Sequence, residues 1–446
     1  MNISIIGTGY VGLVSGACLA KKGHLITCVD IDQHKIEQLK KGICPIYEEG
    51  LPEILDCNIG KNLFFSSNLK DSVKHSDVIM ICVGTPFNGE QIDLSFLETV
   101  SFQIGEIIKS CSDRKTVIVK STVIPGTTEK FVAERIENSS GKIKGQDFGL
   151  GMNPEFLREG SAVSDFMSPD RIVLGGTDKA TLKTMKEIYA PFRDVDIIET
   201  NCTTAELIKY VSNSYLATLI SFSNELGNLC YHYKDVDALD VFNGLHKDRR
   251  LSPIINGQRI FPDINAYLKP GCGFGGSCFP KDVKSLISEA KKSGIKLPIL
   301  DSVIQTNNNQ PYKMIEMLQK HIPKIKGATV GILGLAFKPG TDDLRESPSL
   351  RVIDELAKLN VNVMAHDPIA LEPAKNVIKN PNVTFMESLE EIVEKSDSIL
   401  LMTAWDEYIH LDKLLMKYEK DIPVIDGRRV LNKNNFKYYS GIGISK

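Results

Sequence analysis

The sequence has no apolar run that approaches the roughly 20 residues needed to span a bilayer. It also has almost no excess charge, since 53 lysine and arginine residues stand against 56 aspartate and glutamate residues, for a formal net charge of −3. A charge this small favours neither nucleic acid nor an anionic membrane surface as a partner. No basic and apolar leader precedes the strand-like residues 2–6, so we expect no signal peptide, no membrane and no nucleic acid.

The ten cysteines include no C-x-x-C pair and no Cys/His spacing typical of a metal site. Cys28 and Cys82 lie in apolar strand patterns and are interpreted as small core residues. The sequence therefore predicts a cytoplasmic protein with reduced thiols and no metal. Its 446 residues are enough for two or three globular domains.

Short apolar runs alternate with amphipathic stretches in two parts of the chain. In the first part, up to about residue 200, the runs lie at 3–6, 25–29, 78–83 and 116–119. The alternation resumes near Lys326 with the run 328–334. This alternation is typical of α/β proteins in which helices cover a parallel sheet.

The two parts also echo one another. Ser76-Asp77 ahead of one apolar run is matched by Ser396-Asp397 ahead of another, and the turn at 7–12 resembles residues 331–337, which lack its third glycine. We predict two Rossmann-like, doubly wound parallel-sheet domains, of which only the first keeps a full dinucleotide fingerprint.

A helical period without proline separates the two parts, from Thr203 to about Tyr233. Apolar residues recur there every three or four positions, namely Ile208, Val211, Tyr215, Leu219, Phe222, Leu226 and Leu229. A helix of about 30 residues spans roughly 45 Å, more than one domain usually needs. It is either a core helix or, as we favour, a long central helix that joins the domains and carries a dimer interface. The predicted domains are 1–200, a central helical domain at 201–310, and 311–446.

The turn after the first strand has the dinucleotide-binding pattern G-x-G-x-x-G, formed by Gly7, Gly9 and Gly12. The first glycine permits the tight turn, the second lets the backbone approach a pyrophosphate, and the third lets helix and strand pack closely. The second strand ends at Asp30, where a carboxylate accepts from ribose hydroxyls and repels a 2′-phosphate. The sequence therefore predicts NAD as cofactor rather than NADP.

Two further loops follow predicted strands, at 83–86 and 120–123. Open α/β sheets bind ligands at the carboxyl ends of their strands. Each loop alone favours an ordinary loop over a site, but their position beside the glycine turn favours additional cofactor contacts, through Thr85, Pro86, Ser121 and Thr122.

Residues 270–282 form the most informative stretch, with four glycines in the six residues from Gly271, then Cys278, then Pro280. Proline suits the first turn of a helix, so Cys278 is expected just before a helix N-terminus. The helix dipole and nearby Lys281 would favour the nucleophilic thiolate. We predict Cys278 as the nucleophile, with Cys272 in the same loop as an inert cysteine.

Polar residues elsewhere are open to two interpretations each. Lys209 and Asn213 lie one turn apart on the long helix and either aim together at an oxyanion or form a solvated edge. Glu155 follows a strand and a proline, and is either a general base for water or an acid at a helix N-terminus. The basic segments at 337–347 and 426–429 either bind a diphosphate or form surface salt bridges.

Taken together, these segments resemble the UDP-glucose/GDP-mannose dehydrogenase family over nearly the whole chain. The resemblance rests on seven motifs in one order: GTGYVGLV, KSTVIPGT, NPEFLREGSA, ELIKYVSN, GFGGSCFPKD, GLAFKPGTDDLRESPS and DGRRVL. It implies an NAD-binding N-terminal domain, a central dimerisation domain with the cysteine loop, and a C-terminal nucleotide-sugar-binding domain. The implied partners are a nucleotide sugar and a second copy of the chain.

The resemblance also implies roles for individual residues. The catalytic group would be Cys278 as nucleophile, Lys209 and Asn213 at the oxyanion, Glu155 as activator of water, and Thr122 and Asp282 as polar helpers. The implied NAD contacts are Gly7, Gly9, Tyr10, Val11, Gly12, Asp30, Lys35, Thr85, Pro86, Ser121, Thr122, Glu159 and Arg345. The implied substrate contacts are Phe156, Leu157, Lys209, Asn213, Arg250, Tyr267, Gly273, Phe337, Lys338 and Arg428.

One departure from the family pattern bears on the substrate. The Arg-Ile-Gly step that the family often shows before the catalytic loop is replaced here by Asp248-Arg249-Arg250-Leu251, so that Arg249 or Arg250 would be its counterpart. The form GGSC favours a UDP-glucose or GDP-mannose enzyme over relatives that act on N-acetylhexosamines. We predict four-electron oxidation of UDP-glucose to UDP-glucuronate through a cysteine thioester, with GDP-mannose or another UDP-hexose as the alternative.

Two rival classes are disfavoured. An ordinary two-electron dehydrogenase would need no cysteine after the glycine loop. A nucleotide-sugar sensor without activity would have lost one of Cys278, Lys209 or Glu155, and all three are present.

Overall fold

A single helix, α9 (Cys202–Cys230), runs unbroken through the middle of the chain and confirms the long helix expected at 203–233. The computed structural model describes residues 1–444. The chain folds as two units, residues 1–212 and the residues from 213 onward, and their boundary falls inside α9. None of the helices among the described residues combines the length and apolar character that a membrane crossing requires.

The first unit is built on an eight-stranded sheet. Its strands are β1 (Asn2–Ile6), β2 (Leu25–Val29), β3 (Leu63–Ser66), β4 (Val78–Ile81), β5 (Lys115–Val119), β6 (Phe148–Met152), β7 (Arg171–Gly176) and β8 (Asp196–Thr200). Its other helices are α1 (Tyr10–Lys21), α2 (Gln33–Lys40), α3 (Leu51–Asn58), α4 (Leu69–Lys74), α5 (Ser95–Ile108), α6 (Ala133–Ser140), α7 (Ala162–Met167) and α8 (Lys179–Tyr189), with a π-helical turn at Thr127–Val132. The order is β3-β2-β1-β4-β5-β6-β7-β8, and all neighbours are parallel except β6 and β7.

The second unit contains a six-stranded parallel sheet. Its strands are β11 (Thr329–Leu333), β12 (Asn362–His366), β13 (Val383–Phe385), β14 (Ser398–Leu401), β15 (Val424–Asp426) and β16 (Tyr439–Gly441), and a small hairpin is formed by β9 (Ile254–Ile255) and β10 (Gln258–Arg259). Its helices are α10 (Ala238–His246), α11 (Phe279–Lys292), α12 (Pro298–His321), α13 (Pro348–Lys358), α14 (Leu371–Val377), α15 (Leu389–Lys395) and α16 (Leu411–Lys417). Single 3-10 turns lie at Asp263–Tyr267, Asp406–His410 and Lys433–Asn435.

Central strands are apolar because helices cover both faces of each sheet. The strands β4 and β5 are buried along their whole length, as is β14 in the second unit. Each sheet therefore has an apolar core on each side, formed in the first unit by two clusters that include Ile5 and Val117 respectively. The α/β class with two parallel-sheet domains is thus confirmed.

The two sheets repeat one topology. The order β13-β12-β11-β14-β15-β16 in the second unit matches β3-β2-β1-β4-β5-β6 in the first. The predicted echo of Ser-Asp pairs has a structural basis: Asp77 accepts from the Asn2 amide at 2.9 Å, and Asp397 accepts from the Thr329 amide at 2.8 Å. Each carboxylate joins the start of the fourth strand of its sheet to the start of the first.

The predicted correspondence between the two turns was wrong by three residues. Gly7 follows β1 with a φ of +97°, and the residue that follows β11 with the same conformation is Gly334, at +96°. Gly331, which the sequence comparison aligned with Gly7, lies inside β11, where a side chain would collide with Ile392 and Ser396. Repeated glycines misled the alignment because strand packing and tight turns both select glycine.

The helix α9 carries polar residues on its buried side and apolar residues on its exposed side. The buried polar residues are Glu206, Lys209, Asn213, Ser214, Ser221, Ser223 and Asn224. The exposed apolar residues are Leu207, Val211, Tyr215, Phe222 and Leu229, each between 41% and 54% exposed. This is the reverse of the usual amphipathic helix at a protein surface.

Candidate active site

The glycine turn at the end of β1 has the shape that a dinucleotide site requires. A Cβ atom on Gly12 would run into the Gly7 carbonyl oxygen, whereas a Cβ atom on Gly9 would meet nothing within 4 Å. The absence of a side chain at Gly12 therefore lets α1 pack closely against the turn, and Gly9 leaves open space at the N-terminus of α1. The free N–H groups at that end attract a pyrophosphate.

Asp30 lies beside this turn, directly after β2. Its Oδ2 accepts from the Thr8 backbone N–H at 2.8 Å and from the Thr8 hydroxyl at 2.6 Å, and Lys35 Nζ lies 3.5 Å away. Burial alone would raise the pKa of Asp30, but these donors and the Asp32 amide together lower it, so the group is a carboxylate at neutral pH. Its other oxygen, Oδ1, accepts from the Asp32 amide at 3.1 Å.

These residues fit NAD. Gly9 provides the open approach, α1 the helix N-terminus, and Asp30 a fixed carboxylate for ribose hydroxyls. Val11 follows Tyr10 in the first turn of α1, where backbone N–H groups have no partner within the helix. The sequence prediction of a dinucleotide turn is thus matched by its geometry.

The two predicted strand-end loops lie beside each other in the first unit. The Thr85 hydroxyl donates to the Thr122 carbonyl at 2.7 Å, and the Ser121 hydroxyl donates to the Val83 carbonyl at 2.7 Å. Because β4 and β5 are parallel neighbours, the loops after them meet at one edge of the sheet, which is also the edge of the glycine turn. Pro86 follows Thr85 in the same loop.

Glu155 and Lys209 form a buried ion pair in the first unit. Lys209 Nζ lies 3.1 Å from Glu155 Oε1, and the side chains are only 3% and 6% exposed. The other oxygen of Glu155 accepts from the Leu157 amide at 2.6 Å. The structure has no helix at this point, since the next one, α7, begins at Ala162, so the alternative of an acid at a helix N-terminus is wrong for Glu155.

The aromatic ring of Phe156 packs against two cations. Arg171 lies 4.2 Å and Lys209 5.5 Å from the ring centroid. Phe156 and Leu157 are both half-buried, and Glu159 is half-buried farther along the same loop. The loop after β6 therefore brings the predicted base and two predicted substrate contacts into one short segment.

Cys278 directly precedes α11 in the second unit, as expected from Pro280. Its carbonyl accepts from the Asp282 amide at 2.8 Å, and the Ser277 hydroxyl lies 3.5 Å from the sulfur. Asp282 is buried, and it accepts from Asn213 Nδ2 at 2.6 Å and from Lys281 Nζ at 2.6 Å. Asp282 thus balances the positive charge of Lys281. Lys281 therefore stabilises a Cys278 thiolate less than the sequence analysis expected.

Cys272 has a different environment from Cys278, six residues later. It is fully buried, its sulfur donates to the Met402 carbonyl at 3.5 Å, and its amide donates to the Gly427 carbonyl. Burial raises the pKa of the Cys272 thiol. Cys278 is only half-buried, so it is the accessible thiol of the loop.

The predicted substrate residues of the second unit, together with the predicted cofactor contact Arg345, fall into two groups. Arg428 donates to the carbonyls of Met402, Gly273 and Phe337, and thereby joins three loops. Lys338 Nζ lies 5.7 Å from the Phe337 ring, and Tyr267 packs near Phe279. The other group is exposed: Arg345 pairs with Asp343 at 2.8 Å, and Arg250 pairs with Asp248 at 2.6 Å.

Sequence reasoning missed two buried carboxylates in the first unit. Glu206 accepts from the amides of Gly126 and Thr128 at 2.5 and 2.8 Å, and burial raises its pKa to about 7. Glu48 accepts from Tyr10 and from the Gly160 amide at 2.8 Å. Their partners lie 38 to 112 residues away in the sequence. No local pattern reveals such pairs.

A doubly wound sheet with a glycine turn, an acid after β2 and a second parallel-sheet unit defines the class of NAD-dependent dehydrogenases. Three family models describe successive parts of the chain: the NAD binding domain of the UDP-glucose/GDP-mannose dehydrogenase family at residues 1–193, its central domain at 203–309 and its UDP binding domain at 331–433.

Individual relatives agree with these models. A UDP-glucose 6-dehydrogenase of Bacillus subtilis is 38% identical over 96% of this chain and 93% of its own length. A UDP-glucose dehydrogenase structure from Pyrobaculum islandicum is 35% identical, covers 99% of this chain and 97% of that one, and has a TM-score of 0.90. A GDP-mannose dehydrogenase structure from Pseudomonas aeruginosa is 36% identical, covers 99% of this chain and 100% of that one, and has a TM-score of 0.55.

The chain belongs to the UDP-glucose/GDP-mannose dehydrogenase family. It is an NAD-dependent dehydrogenase, and its UDP binding domain implies a nucleotide sugar as substrate.

Asp30 provides a test of cofactor choice. Asp30→Ala is expected to weaken NAD binding about tenfold, since a charge-assisted contact is worth roughly 1.5 kcal/mol or more, and to narrow the preference for NAD over NADP. Titration calorimetry with both cofactors measures this. Asp32→Ala, which removes an exposed neighbouring carboxylate, serves as the matched control and should leave the preference intact. Equal affinity of the unaltered protein for NAD and NADP would contradict the assignment.

Proposed function

We propose that this enzyme oxidises the C6 hydroxymethyl group of UDP-glucose to a carboxylate, through a covalent thioester on Cys278. The observation that carries the proposal is the position of Cys278, half-buried before α11 and next to the buried network of Asn213, Lys281 and Asp282. An alcohol dehydrogenase that stopped at the aldehyde would have no use for an accessible thiol there.

The proposed reaction has two oxidations and one hydrolysis. The C6 hydroxyl first loses its proton and C6 loses a hydride, which gives an aldehyde. The Cys278 thiol then gives up its proton as its sulfur adds to the aldehyde carbon, and the aldehyde oxygen takes up a proton. Loss of that proton and a second hydride gives the thioester, and water then releases the carboxylate and returns the thiol. When bound, NAD accepts the hydride in each oxidation. One sugar therefore yields two NADH and consumes one water.

The polar side chains have separate roles in this scheme. Lys209 and Asn213 stabilise the oxygen that becomes negative at C6, and Glu155 takes a proton from the hydrolytic water. The buried ion pair of Lys209 with Glu155 supports these roles, since it fixes both charged groups in place. Asp282 orients the Asn213 amide, and Thr122 is a polar neighbour of the reacting carbon.

The proposed domains divide the work. Residues 1–200 bind NAD, residues 201–310 provide the dimerisation helix and the cysteine loop, and residues 311–446 bind the nucleotide. Supporting this division, the three family models describe an NAD binding, a central and a UDP binding domain in that order.

UDP-glucose is proposed over GDP-mannose because the relatives from Bacillus subtilis and Pyrobaculum islandicum are named for UDP-glucose. The GGSC form of the cysteine loop favours both substrates over N-acetylhexosamines and does not separate the two. The GDP-mannose enzyme is 36% identical to this chain, against 35% for the Pyrobaculum islandicum enzyme, but its structural similarity is lower, with a TM-score of 0.55 against 0.90.

We further propose a homodimer formed through α9. The supporting observation is the exposed apolar side of this helix, whose residues recur at intervals of four and seven. An exposed apolar stripe rimmed by polar residues is a typical protein interface, and a self-complementary stripe suits a symmetric dimer.

Substitution of the two loop cysteines tests the thioester. Cys278→Ala should reduce acid formation by at least about a thousandfold, because no covalent adduct can form, while folding and NAD binding persist. Cys278→Ser should accumulate a slowly hydrolysed acyl-enzyme, visible by mass spectrometry, since an ester is less reactive than a thioester. Cys272→Ser is the matched control and should retain substantial activity. Acid formation near the unaltered rate in Cys278→Ala, or its loss in Cys272→Ser alone, would sink the mechanism.

A panel of nucleotide sugars tests the substrate. NADH formation should be at least about tenfold more efficient in kcat/KM with UDP-glucose than with GDP-mannose or UDP-N-acetylhexosamines, and two NADH should form per UDP-glucose consumed. Turnover of GDP-mannose without turnover of UDP-glucose would replace the proposed substrate by its alternative.

A charge placed in the apolar stripe tests the dimer. Phe222→Glu should shift the protein from dimer to monomer at micromolar concentration, because dimerisation would bury an unpaired carboxylate. Sedimentation velocity measures the shift. Phe96→Glu alters an equally exposed phenylalanine on α5 and should leave the dimer intact. A monomeric unaltered protein, or a dimeric Phe222→Glu variant, would refute the interface.

A further inference from the structure

A buried carboxylate outside the predicted site connects three segments of the first unit. Glu48 lies in the loop between α2 and α3 and is only 3% exposed. Its Oε2 accepts from the Tyr10 hydroxyl and from the Gly160 amide at 2.8 Å, and its Oε1 accepts from the Val163 amide at 3.4 Å. The Gly160 amide also lies 3.0 Å from the Tyr10 hydroxyl oxygen, so the three groups form a closed triangle.

Two of the three groups, Tyr10 and the Gly160 amide, belong to segments of the proposed site. Tyr10 is the first residue of α1 and lies between the second and third glycines of the cofactor turn. Gly160 ends the loop that begins at Asn153 and includes Glu155, Phe156 and Glu159. Glu48 itself belongs to neither segment, and no role in the proposed reaction falls on it.

We infer that Glu48 is a positioning residue, which together with Tyr10 fixes the loop 153–160 to the cofactor turn. The inference rests on the proposed function for the role of the loop, since Glu155 acts there on the hydrolytic water. The cofactor turn and the loop 153–160 are thereby held in a fixed relative position. Binding of NAD at the turn reduces the mobility of the loop through Tyr10.

The energetics of burial make this connection stiff. A carboxylate removed from water is stable only when donors surround it, so Glu48 holds its three donors in a fixed arrangement. Burial and the nearby carboxylate of Glu48 raise the pKa of Tyr10, so its phenol keeps its proton and donates at physiological pH. A displacement of about 1 Å in a catalytic group costs up to about a hundredfold in rate, which is why such a connection matters.

The closing experiment uses the full-length protein and five variants. Glu48→Ala removes the acceptor, Tyr10→Phe removes the donor, and the double variant tests whether both act through one link. Glu48→Gln keeps one oxygen for Tyr10 and Gly160 and is the conservative rescue. Glu49→Ala alters the exposed neighbouring carboxylate and is the matched control.

Three quantities are measured for each protein. Hydrogen exchange of the 155–165 segment is followed without and with NAD, NAD affinity is measured by calorimetry, and kcat is measured with UDP-glucose. Glu48→Ala and Tyr10→Phe should each weaken NAD binding about fivefold and lower kcat about tenfold. The double variant should be no worse than the poorer single one, because both break the same link.

The effect of NAD on hydrogen exchange is the measurement that a purely structural role of Glu48 and Tyr10 would leave unchanged. In the unaltered protein, NAD should slow exchange at Gly160 and Val163, and Tyr10→Phe should abolish that slowing while the thermal unfolding temperature stays within a few degrees. Glu48→Gln and Glu49→Ala should stay within about threefold of the unaltered protein in all three quantities.

Two results would overturn the inference. The first is a Tyr10→Phe variant whose NAD affinity, hydrogen exchange in the 155–165 segment and kcat all stay within twofold of those of the unaltered protein. This result can be obtained even if Glu48→Ala fails to fold. The other is additive loss in the double variant. NAD affinity and hydrogen exchange are measured without a nucleotide sugar. Failure of the protein to oxidise UDP-glucose would therefore refute the proposed function, while these two measurements would still test the role of Glu48.

Discussion

The buried polar side of α9 is the constraint on which both units depend. A charged or amide side chain that is removed from water must find a partner, and three of those on α9 find it in segments of the proposed site. Lys209 binds Glu155 in the first unit, and Asn213 binds Asp282 in the second. Farther along, Asn224 accepts from the Gly271 amide at the start of the cysteine loop. The helix thus holds the Glu155 loop within the first unit and, within the second, Asp282 and the start of the cysteine loop. Its exposed side is left to apolar residues.

The elements with local signals were predictable from the sequence, and those held by distant contacts were not. Strand runs, the glycine turn and the start of α11 follow from periodicity and from residues such as Pro280, and the structure has them where they were expected. Periodicity also revealed the apolar stripe on α9. It did not reveal whether the stripe is buried or exposed, because the apolar residues have the same spacing in both cases. Glu48 and Glu206 could not be found, since their partners are groups in distant parts of the chain, most of them backbone amides. The Asn256-Gly257 pair of the β9–β10 hairpin was a readable signal that was overlooked.

The two parallel sheets show how one topology can hold different ligands. Asp367 follows β12 as Asp30 follows β2, but it accepts from four backbone amides and the Trp405 indole. Its two oxygens are therefore committed to the protein, whereas Oδ1 of Asp30 accepts from one amide and has capacity for a ribose hydroxyl. In the turn after β11, Ala336 stands at the position that the open Gly9 has in the turn after β1. The second unit thus differs from the first in the acid after its second strand as well as in the glycine of the turn.

The glycines before Cys278 are explained by packing rather than by chemistry at the sulfur. A Cβ atom on Gly275 would lie 2.5 Å from the Glu346 carbonyl oxygen, and one on Gly276 would lie 2.8 Å from the ring of Phe337. Gly276 also has a φ of +82°, which side-chain-bearing residues rarely adopt. The cysteine loop can therefore lie against the 337–346 loop only without side chains at these positions. Because that loop also carries Lys338 and accepts a hydrogen bond from Arg428, the same close approach sets the positions of the Cys278 thiol and of the residues proposed to bind the nucleotide.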